Sequence, residues 1–393
     1  MVSIFCIVQV RTACWKSARL FGSVLLLGSA VLAAQAQPSV PADAGSAPGG
    51  APAASAAFSS RQPSSAIAVP RVTGRLRASQ LGLVINTTDP ASVALGEHYI
   101  TVRKLTQDQV LRVALPMRPA LQFDEFARLR SAIETRFGPE IQALALAWTA
   151  PYRVECNAIT GALTLGYDAD LCQRTCAASR PSPYFNSASI RPFGNFGMRP
   201  SMLLAARTFD QAKALVDRGV AADGALTRRG RPPVLALMLT NDDAARGVRQ
   251  RLYPPPGLLR AAGIDVQSRP LAQLAGAGPL LFAVGGSVRV PLDPPPDWTP
   301  GGIGDHLTSF AGDLLGEHGH STALDWIESG ATATHGPVTE PCNHLQKFPH
   351  PQVLLGHYMQ GATAIEAYWK SVAWPQQSLF VGEPLAAPFA QGR

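Results

Sequence analysis

The chain has 393 residues, of which 46% are hydrophobic, so it can form one large α/β domain or two medium ones. Its formal net charge is +7, but three of the basic residues lie among residues 1–36, which hold no acidic residue. The excess that remains, 31 basic against 27 acidic residues, is too small to predict nucleic-acid binding.

The amino-terminal stretch has the order of basic, apolar and small residues that is typical of a secretory signal. Lys16 and Arg19 precede the apolar run 20–32, which is too short to span a bilayer. The tripeptide Ala-Gln-Ala that ends at Ala36 has the small-x-small pattern that signal peptidase cleaves. We therefore predict a signal peptide at residues 1–36 and export to the periplasm or the extracellular space, with an uncleaved membrane anchor as the alternative.

The rest of the chain divides into a linker and a folded region. Residues 37–72 are dominated by Ala, Pro, Ser and Gly, which cannot bury a core, so we predict a disordered linker. From residue 81 onwards, short apolar runs alternate with longer amphipathic ones. This alternation predicts a single α/β domain over residues 73–393, with a mostly parallel sheet flanked by helices. No internal repeat is evident, and we expect no membrane span after signal cleavage.

The boundaries of the predicted elements follow from apolar spacing and from the turn residues between the runs. Strands are predicted at residues 81–86, 110–115, 143–148, 202–206, 233–239, 280–284, 331–334 and 378–381, the last as an edge strand. Helices are predicted at residues 91–104, 123–137, 209–222, 248–262, 322–329 and 352–372. The helix at 248–262 is expected to be interrupted by the prolines 254–256.

Residues 150–200 interrupt the alternation and predict a long insertion that carries disulfide bonds. Removal of the signal peptide leaves four cysteines, an even number that favours disulfides in an exported protein. These candidates are Cys156, Cys172, Cys176 and Cys342, and they allow three pairings. The alternative is a zinc site built on Cys172 and Cys176 together with histidines.

Polar and reactive side chains concentrate between residues 300 and 343, which hold four of the eight histidines. In doubly wound sheets, ligands bind beyond the carboxyl ends of the strands, where this region and the glycines after residue 284 are expected to meet. We predict a ligand cleft there, formed by Gly285, Gly286, Asp305, Gly336 and Glu340. A peptide or a small molecule is the expected ligand, and we expect neither a cofactor nor a metal ion.

Three residues of this region are candidates for catalysis. Ser309 and His306 are the residue types of a nucleophile and its general base, although their i, i+3 spacing also suits a helix cap or a core position. His335 is a candidate general base at a strand end, or a loop histidine held by hydrogen bonds. His318 and His320 are residue types that bind metals, but a solvated loop is the favoured interpretation there.

Four segments of the sequence resemble a family of uncharacterised secreted bacterial proteins. These segments read GGIGDHLTSF, SGATATHGPVTEPCN, EAYWKSVAW and VGEPLAAPF. The family patterns at these places read approximately PGAIxxHxxSF, GAxAxxGxVxEP, EAYxxS and GDPLxxPF. The likeness extends back to residue 81 and so covers nearly all of the predicted domain. Glu383 stands where the family pattern has Asp, and we expect Glu383 to hold a turn or to pair with an arginine.

The layout is also distantly similar to that of caspase- and gingipain-like cysteine peptidases, in which a histidine follows one strand and a cysteine the next. If the catalytic pair of these peptidases is placed on this sequence by position, the histidine would lie near Gly285 and Gly286 and the nucleophile near Ser309. There is no histidine at the first place and no cysteine at the second. The resemblance therefore implies an exported binding or envelope-associated protein that lacks the usual His/Cys pair. The alternative is a hydrolase of peptidase or esterase type, with a site rebuilt from Ser309, His306 and His335.

Overall fold

The structure, a computed structural model, describes residues 66–228 and 230–391. The predicted signal peptide, and the predicted linker as far as residue 65, lie outside the described residues and stay predictions. In the two described ranges, no helix combines the length and the apolar composition that are needed to cross a membrane.

Eleven strands form one large sheet. In chain order, all strands of the structure are β1 (Leu81–Asn86), β2 (Val110–Val113), β3 (Ala120–Leu121), β4 (Ala143–Leu146), β5 (Arg153–Val154), β6 (Asn157–Ala158), β7 (Ser201–Leu203), β8 (Val234–Thr240), β9 (Gly257–Leu259), β10 (Ile264–Pro270), β11 (Leu280–Gly286), β12 (Trp298–Leu307), β13 (Ala333–Pro337) and β14 (Ser378–Gly382). The large sheet has the order β2-β1-β4-β7-β14-β13-β12-β11-β8-β10-β9, and β3, β5 and β6 form a small second sheet.

Helices connect most of these strands. They are α1 (Pro90–Arg103), α2 (Phe123–Arg136), α3 (Ile159–Leu165), α4 (Asp170–Gln173), α5 (Pro192–Phe196), α6 (Phe209–Ala221), α7 (Ala323–Glu328), α8 (Pro351–Met359) and α9 (Ala364–Ser371). The spacing of apolar residues explains their placement: α2 buries Phe126, Leu129 and Ile133 on one face and exposes charged residues on the other. The predicted α/β class with a mostly parallel sheet is confirmed.

The large sheet consists of two parallel halves that run in opposite directions. The first half has the order β2-β1-β4-β7-β14 and the second has the order β10-β8-β11-β12-β13, so each follows the doubly wound order 2-1-3-4-5. The halves meet where β13 pairs antiparallel with β14, with Pro337 opposite Ser378. The strand predicted at the edge of the sheet, residues 378–381, therefore lies at its centre. That prediction is wrong, although the strand itself is present.

Two of the helix predictions need correction. Residues 248–262 form a short 3₁₀ helix at 247–252 followed by β9, because the prolines 254–256 have no backbone N–H to continue a helix. The helix predicted at 352–372 is two helices, α8 and α9. The chain breaks at Gly361, whose φ of +93° lies in the region that favours glycine, and Glu366 accepts a hydrogen bond from the Thr363 backbone to begin α9.

Disulfides fix the insertion between β4 and β7. Cys156 is bonded to Cys172 and Cys176 to Cys342, which selects one of the three pairings. The prediction of disulfides is confirmed, and these cysteines are not available as zinc ligands. The second bond ties the insertion to the chain beyond β13, so residues 150–200 are held over the edge of the sheet where the second half has its carboxyl ends.

Candidate functional site

The carboxyl ends of β11, β12 and β13 lie side by side, although the sequence predicts only β11 and β13 as strands. Gly285 pairs with His306 and Gly286 with Leu307, and β12 pairs in turn with β13. The polar residues at 305–309 and the histidine of β13 therefore reach the same edge of the sheet. Two groups of side chains are found there, one buried inside the edge and one partly exposed at its surface.

The buried group is centred on Asp305. Its Oδ1 accepts a hydrogen bond from the Arg249 guanidinium, which also donates to the Gly285 carbonyl. Its Oδ2 lies 3.2 Å from Nδ1 of His335, whose Nε2 lies 2.9 Å from the Ser378 hydroxyl. Burial alone would raise the pKa of Asp305, but the charge of Arg249 and the bond with His335 outweigh it and lower that pKa. An ionised Asp305 is only an acceptor, so Nδ1 of His335 donates to it.

Ser378, His335 and Asp305 thus lie in the order of a Ser-His-Asp triad, but all three side chains are buried. The exposed fraction is 1% for Ser378 and 0% for His335 and Asp305. Phe348 packs its ring edge against His335, with 6.1 Å between the centroids, and Arg249 also contacts the Pro349 carbonyl at 3.4 Å. The arrangement pairs the buried polar groups of Asp305, His335 and Ser378 with one another, whereas Nε of Arg249 has no hydrogen-bond partner in the described part of the chain.

His306 is also a buried histidine with both ring nitrogens occupied. Its Nδ1 accepts a hydrogen bond from the Trp326 indole at 2.9 Å, and its Nε2 donates to the Ser321 carbonyl at 3.2 Å. Burial lowers the pKa of His306 from 6.5 to about 4, so the ring is neutral near pH 7. In this geometry the His306 ring packs against Trp326 in the core and makes no hydrogen bond with Ser309.

Ser309 belongs to the partly exposed group. Its hydroxyl donates to Oε2 of Glu340 at 2.6 Å, and Oε1 of the same carboxylate accepts from the Cys342 backbone N–H at 2.7 Å. Glu340 therefore joins the loop after β12 to the segment that carries the Cys176–Cys342 disulfide. The structure brings Ser309 to a carboxylate and not to either candidate histidine, whereas the assignment of Ser309, His306 and His335 to catalysis stays a prediction.

An aromatic stack lies next to Ser309. Phe310 has a φ of +58°, a backbone conformation that bulky residues rarely adopt, and its ring is parallel to that of His318 with 3.8 Å between the centroids. His318 is fixed by Asp313, 2.9 Å from its Nδ1, and His320 lies 2.9 Å from the Thr308 hydroxyl. In the described part of the chain, no three His, Cys, Asp or Glu side chains are grouped as metal ligands.

We call Ser309, Phe310, His318, His320 and Glu340 the rim. All five are at least partly exposed, and they occupy the loops that follow β12 and β13. The sequence indicated Ser309 and Glu340, whereas it favoured a solvated loop for His318 and His320. It gave no signal for Phe310, because a positive φ at an aromatic residue is visible only in the structure, and none for Arg249, whose partner Asp305 is 56 residues away.

The glycines of the predicted cleft are covered by the chain itself. A methyl group on Gly286 would collide with the Arg246 carbonyl, and one on Gly336 would collide with the backbone of residues 311–312. A methyl group on Gly285 would lie 3.1 Å from Cβ of Leu239. Glycine is therefore needed at 286 and 336 so that backbone segments can approach each other. The assignment of Gly285, Gly286, Asp305, Gly336 and Glu340 to a ligand cleft stays a prediction.

Glu383 pairs with an arginine, as expected from the sequence. Its Oε2 accepts from Arg103 at 2.6 Å, and its Oε1 accepts from the Tyr99 hydroxyl, also at 2.6 Å. The carboxylate is fully buried and packs against Gly219, where a side chain would collide with it. Glu383 therefore fixes the turn after β14 to α1 and α6.

Comparison of the chain with models of protein families, with curated proteins and with solved structures found no match.

Proposed function

We propose that this protein is an exported, non-catalytic binding protein built on an α/β framework of caspase and gingipain type, and that it binds a peptide or small molecule at the rim. The observation that carries the proposal is the placement of the two candidate histidines. His306 donates to Ser321 and accepts from Trp326, and His335 is closed off beside Asp305. A serine hydroxyl needs an adjacent base in order to attack, and neither imidazole is available to Ser309.

The rim has the features of a surface that recognises a ligand. The stacked rings of Phe310 and His318 offer a rigid, partly exposed aromatic face, and Ser309 and Glu340 lie beside it as hydrogen-bonding groups. Aromatic residues with few polar neighbours are typical of binding surfaces, because they supply contact area at a low cost in conformational entropy. The strain at Phe310 supports the same view, since strained backbone persists mostly where function requires it.

A second candidate function is favoured by one observation. The 2.6 Å hydrogen bond from Ser309 to Glu340 places a hydroxyl beside a carboxylate, which can act as a general base in a hydrolase. In that case the rebuilt site would use Glu340 with Ser309, in place of His306 and His335.

Labelling with a fluorophosphonate, which phosphonylates activated serines with loss of fluoride, separates the two functions. We expect no labelling of the wild-type protein at pH 7 to 8. Labelling that disappears in Ser309→Ala but persists in Ser378→Ala would overturn the non-catalytic proposal and support the hydrolase. Labelling that disappears only in Ser378→Ala would show that the buried group opens and would also overturn the proposal.

Binding at the rim is tested with a pool of random hexapeptides and differential scanning fluorimetry. A ligand that binds only the folded protein raises the melting temperature, and a bound peptide can be identified by mass spectrometry after gel filtration. We expect binding by the wild type and about tenfold weaker binding by Phe310→Ala, which removes most of the aromatic face. The control is Phe123→Ala, which removes a phenyl ring that is 48% exposed on α2. Equal binding by both variants would exclude the rim.

A further inference from the structure

A cavity with largely apolar walls lies in the first half of the molecule, and its lining shares no residue with the rim. It has a volume of about 580 Å³ and opens between α2, α3 and α5. Its walls are formed by apolar side chains that include Ile133, Phe137, Leu163, Phe193 and Met198. This volume is within the range of sites that hold small ligands.

Three arginines surround this cavity, which has only one acidic residue in its lining. They are Arg130, Arg180 and Arg199, and the acidic residue is Glu134. Arg180 and Arg199 donate to backbone carbonyls and to no carboxylate in the part of the chain that the structure describes. Arg130 bonds to Glu134 through Nε at 2.8 Å, which leaves its terminal amino groups for another partner. The cavity therefore combines apolar walls with an excess of positive charge, although the carboxylates of Glu134 and Glu140 both act on Arg199.

The guanidinium groups of Arg130 and Arg180 converge over Gly166. A Cβ atom on Gly166 would lie 3.7 Å from Nη1 of Arg130 and 4.0 Å from Nη1 of Arg180. Gly166 has a φ of +91°, and the absence of a side chain leaves the space below the two groups open. Two guanidinium groups that face one point are suited to a carboxylate, which accepts hydrogen bonds from both.

Arg199 gives the same cavity a third, buried cation. It is 8% exposed, its Nε and Nη2 are held by the carbonyls of Ile141, Phe137 and Gly138, and its guanidinium lies 3.5 Å from the ring centroid of Phe193. These bonds use no Nη1 group, and they fix the planar cation against an aromatic wall. Because the Arg199 side chain is already fixed, little conformational entropy would be lost there when a ligand binds.

We propose that this cavity binds an apolar carboxylate, with the carboxylate between Arg130 and Arg180 and the hydrocarbon portion against Ile133, Phe137 and Leu163. Two sources offer this chemistry: a free fatty acid, and the carboxyl-terminal residue of a peptide that ends in a large apolar side chain. The site is separate from the rim. A negative result in the test below would therefore leave the function proposed above unchanged.

The test is isothermal titration calorimetry of the mature protein with two matched pairs of probes. The first pair is dodecanoate and dodecanol, and the second is an acetylated tetrapeptide ending in Leu-Phe and its carboxamide. We expect at least one carboxylate to bind, with its uncharged match at least tenfold weaker. Dodecanoate binding would identify the fatty-acid source and peptide binding the carboxyl-terminal source. No binding by either carboxylate, or equal binding by an uncharged match, would overturn the proposal.

Variants locate the binding site. Arg130→Gln and Arg180→Gln should each weaken binding about tenfold or more, because each removes a charge-assisted hydrogen bond. Arg128→Gln is the matched control, since Arg128 is an exposed arginine of α2 that does not line the cavity. Circular dichroism checks that each variant is folded. An equal loss of binding in Arg128→Gln, or no loss in the other two, would overturn the proposed site.

Discussion

At the scale of the residue, the Arg249–Asp305 pair shows what a buried ion pair does in this molecule. Both side chains are almost fully buried, at 1% and 0% exposure, and Arg249 also donates to the carbonyls of β11 and β12. Moving two charges out of water costs free energy that their attraction only partly returns. The pair is therefore better understood as fixing the relative positions of three strand ends than as a net source of stability.

Removing one partner of this pair should be severely destabilising. We expect Arg249→Met to lower the free energy of unfolding by about 3–5 kcal/mol, because Asp305 then remains buried without its arginine. The control is Arg112→Met, whose pair with Glu97 is 40% and 53% exposed and should contribute less than about 1 kcal/mol. Urea denaturation monitored by circular dichroism measures both. Similar losses in the two variants would contradict this account of the buried pair.

The buried neutral His306 predicts how stability depends on pH. The unfolded chain takes up a proton at this residue near pH 6.5, whereas the folded chain does so only at about 4. The free energy of unfolding should therefore be highest above pH 7 and fall as the pH decreases from 6.5 towards 4, by about 3 kcal/mol from this residue.

Urea denaturation at pH 7.5, 6.5, 5.5 and 4.5 tests this dependence. His306→Gln has no titrating group at this position, so its stability should change less over the same window. His344→Gln, which alters an exposed histidine after β13, should keep the slope of the wild type. If the slopes of the wild type and His306→Gln agree, burial of the neutral imidazole is not the cause.

At the scale of the element, the sequence predicts best where the pattern is strong and local. β1 and α2 agree with prediction within one residue, because a continuous apolar run and a one-sided helix face need no distant information. β10 and β12 are not predicted, since IDVQSRP is largely polar and WTPGGIGDHL contains three glycines and a proline. These strands form because their neighbours in the sheet pair with them.

The candidate site follows the same rule. The sequence predicts that the loops after residues 284 and 334 follow the carboxyl ends of strands, and β11 and β13 do end at one edge, with the unpredicted β12 between them. Which side chains meet at this edge could not be predicted, because β14 comes from the end of the chain and places Ser378 beside His335. A partner 43 residues away leaves no local pattern in the sequence.

The two disulfides should differ in their contribution to stability. In the chain-entropy model, the stabilisation grows with the length of the loop that the bond closes. The separation is 16 residues for Cys156–Cys172 and 166 for Cys176–Cys342. We expect losses of about 3 kcal/mol for Cys156→Ala/Cys172→Ala and about 5 kcal/mol for Cys176→Ala/Cys342→Ala.

Denaturant titrations of the two double variants, without reductant, measure this difference. The mature wild-type protein should also release no free thiol from these four cysteines when it is denatured without reductant. Four titratable thiols would contradict both disulfides. Equal losses in the two variants would show that loop length is not the controlling factor.

At the scale of the whole molecule, the sheet joins two topologically equivalent halves although the sequence shows no repeat. Each half has the strand order 2-1-3-4-5, and β14 supplies the fifth strand of the first half after the whole second half has been completed. All five residues of β14 are buried. The centre of the sheet therefore depends on a strand that is distant in sequence from the rest of its half.

Substitutions in the central and edge strands should show this dependence. Leu379→Ala in β14 should lower the free energy of unfolding by about 2–5 kcal/mol, because Leu379 is 0% exposed and its truncation leaves a cavity. Leu258→Ala in β9 is the matched control, since Leu258 is 43% exposed and lies on the edge strand; its effect should be below about 0.5 kcal/mol. Equal effects would contradict a central role for β14.

The late position of β14 in the chain also bears on truncated forms of the protein. A chain that lacks residues 378–382 would have a gap between β7 and β13, with unpaired backbone groups on both sides of it. Such a gap accepts any extended segment by strand addition, including one from a second copy of the chain. We therefore expect a chain that is cut before residue 378 to aggregate more readily than the full chain.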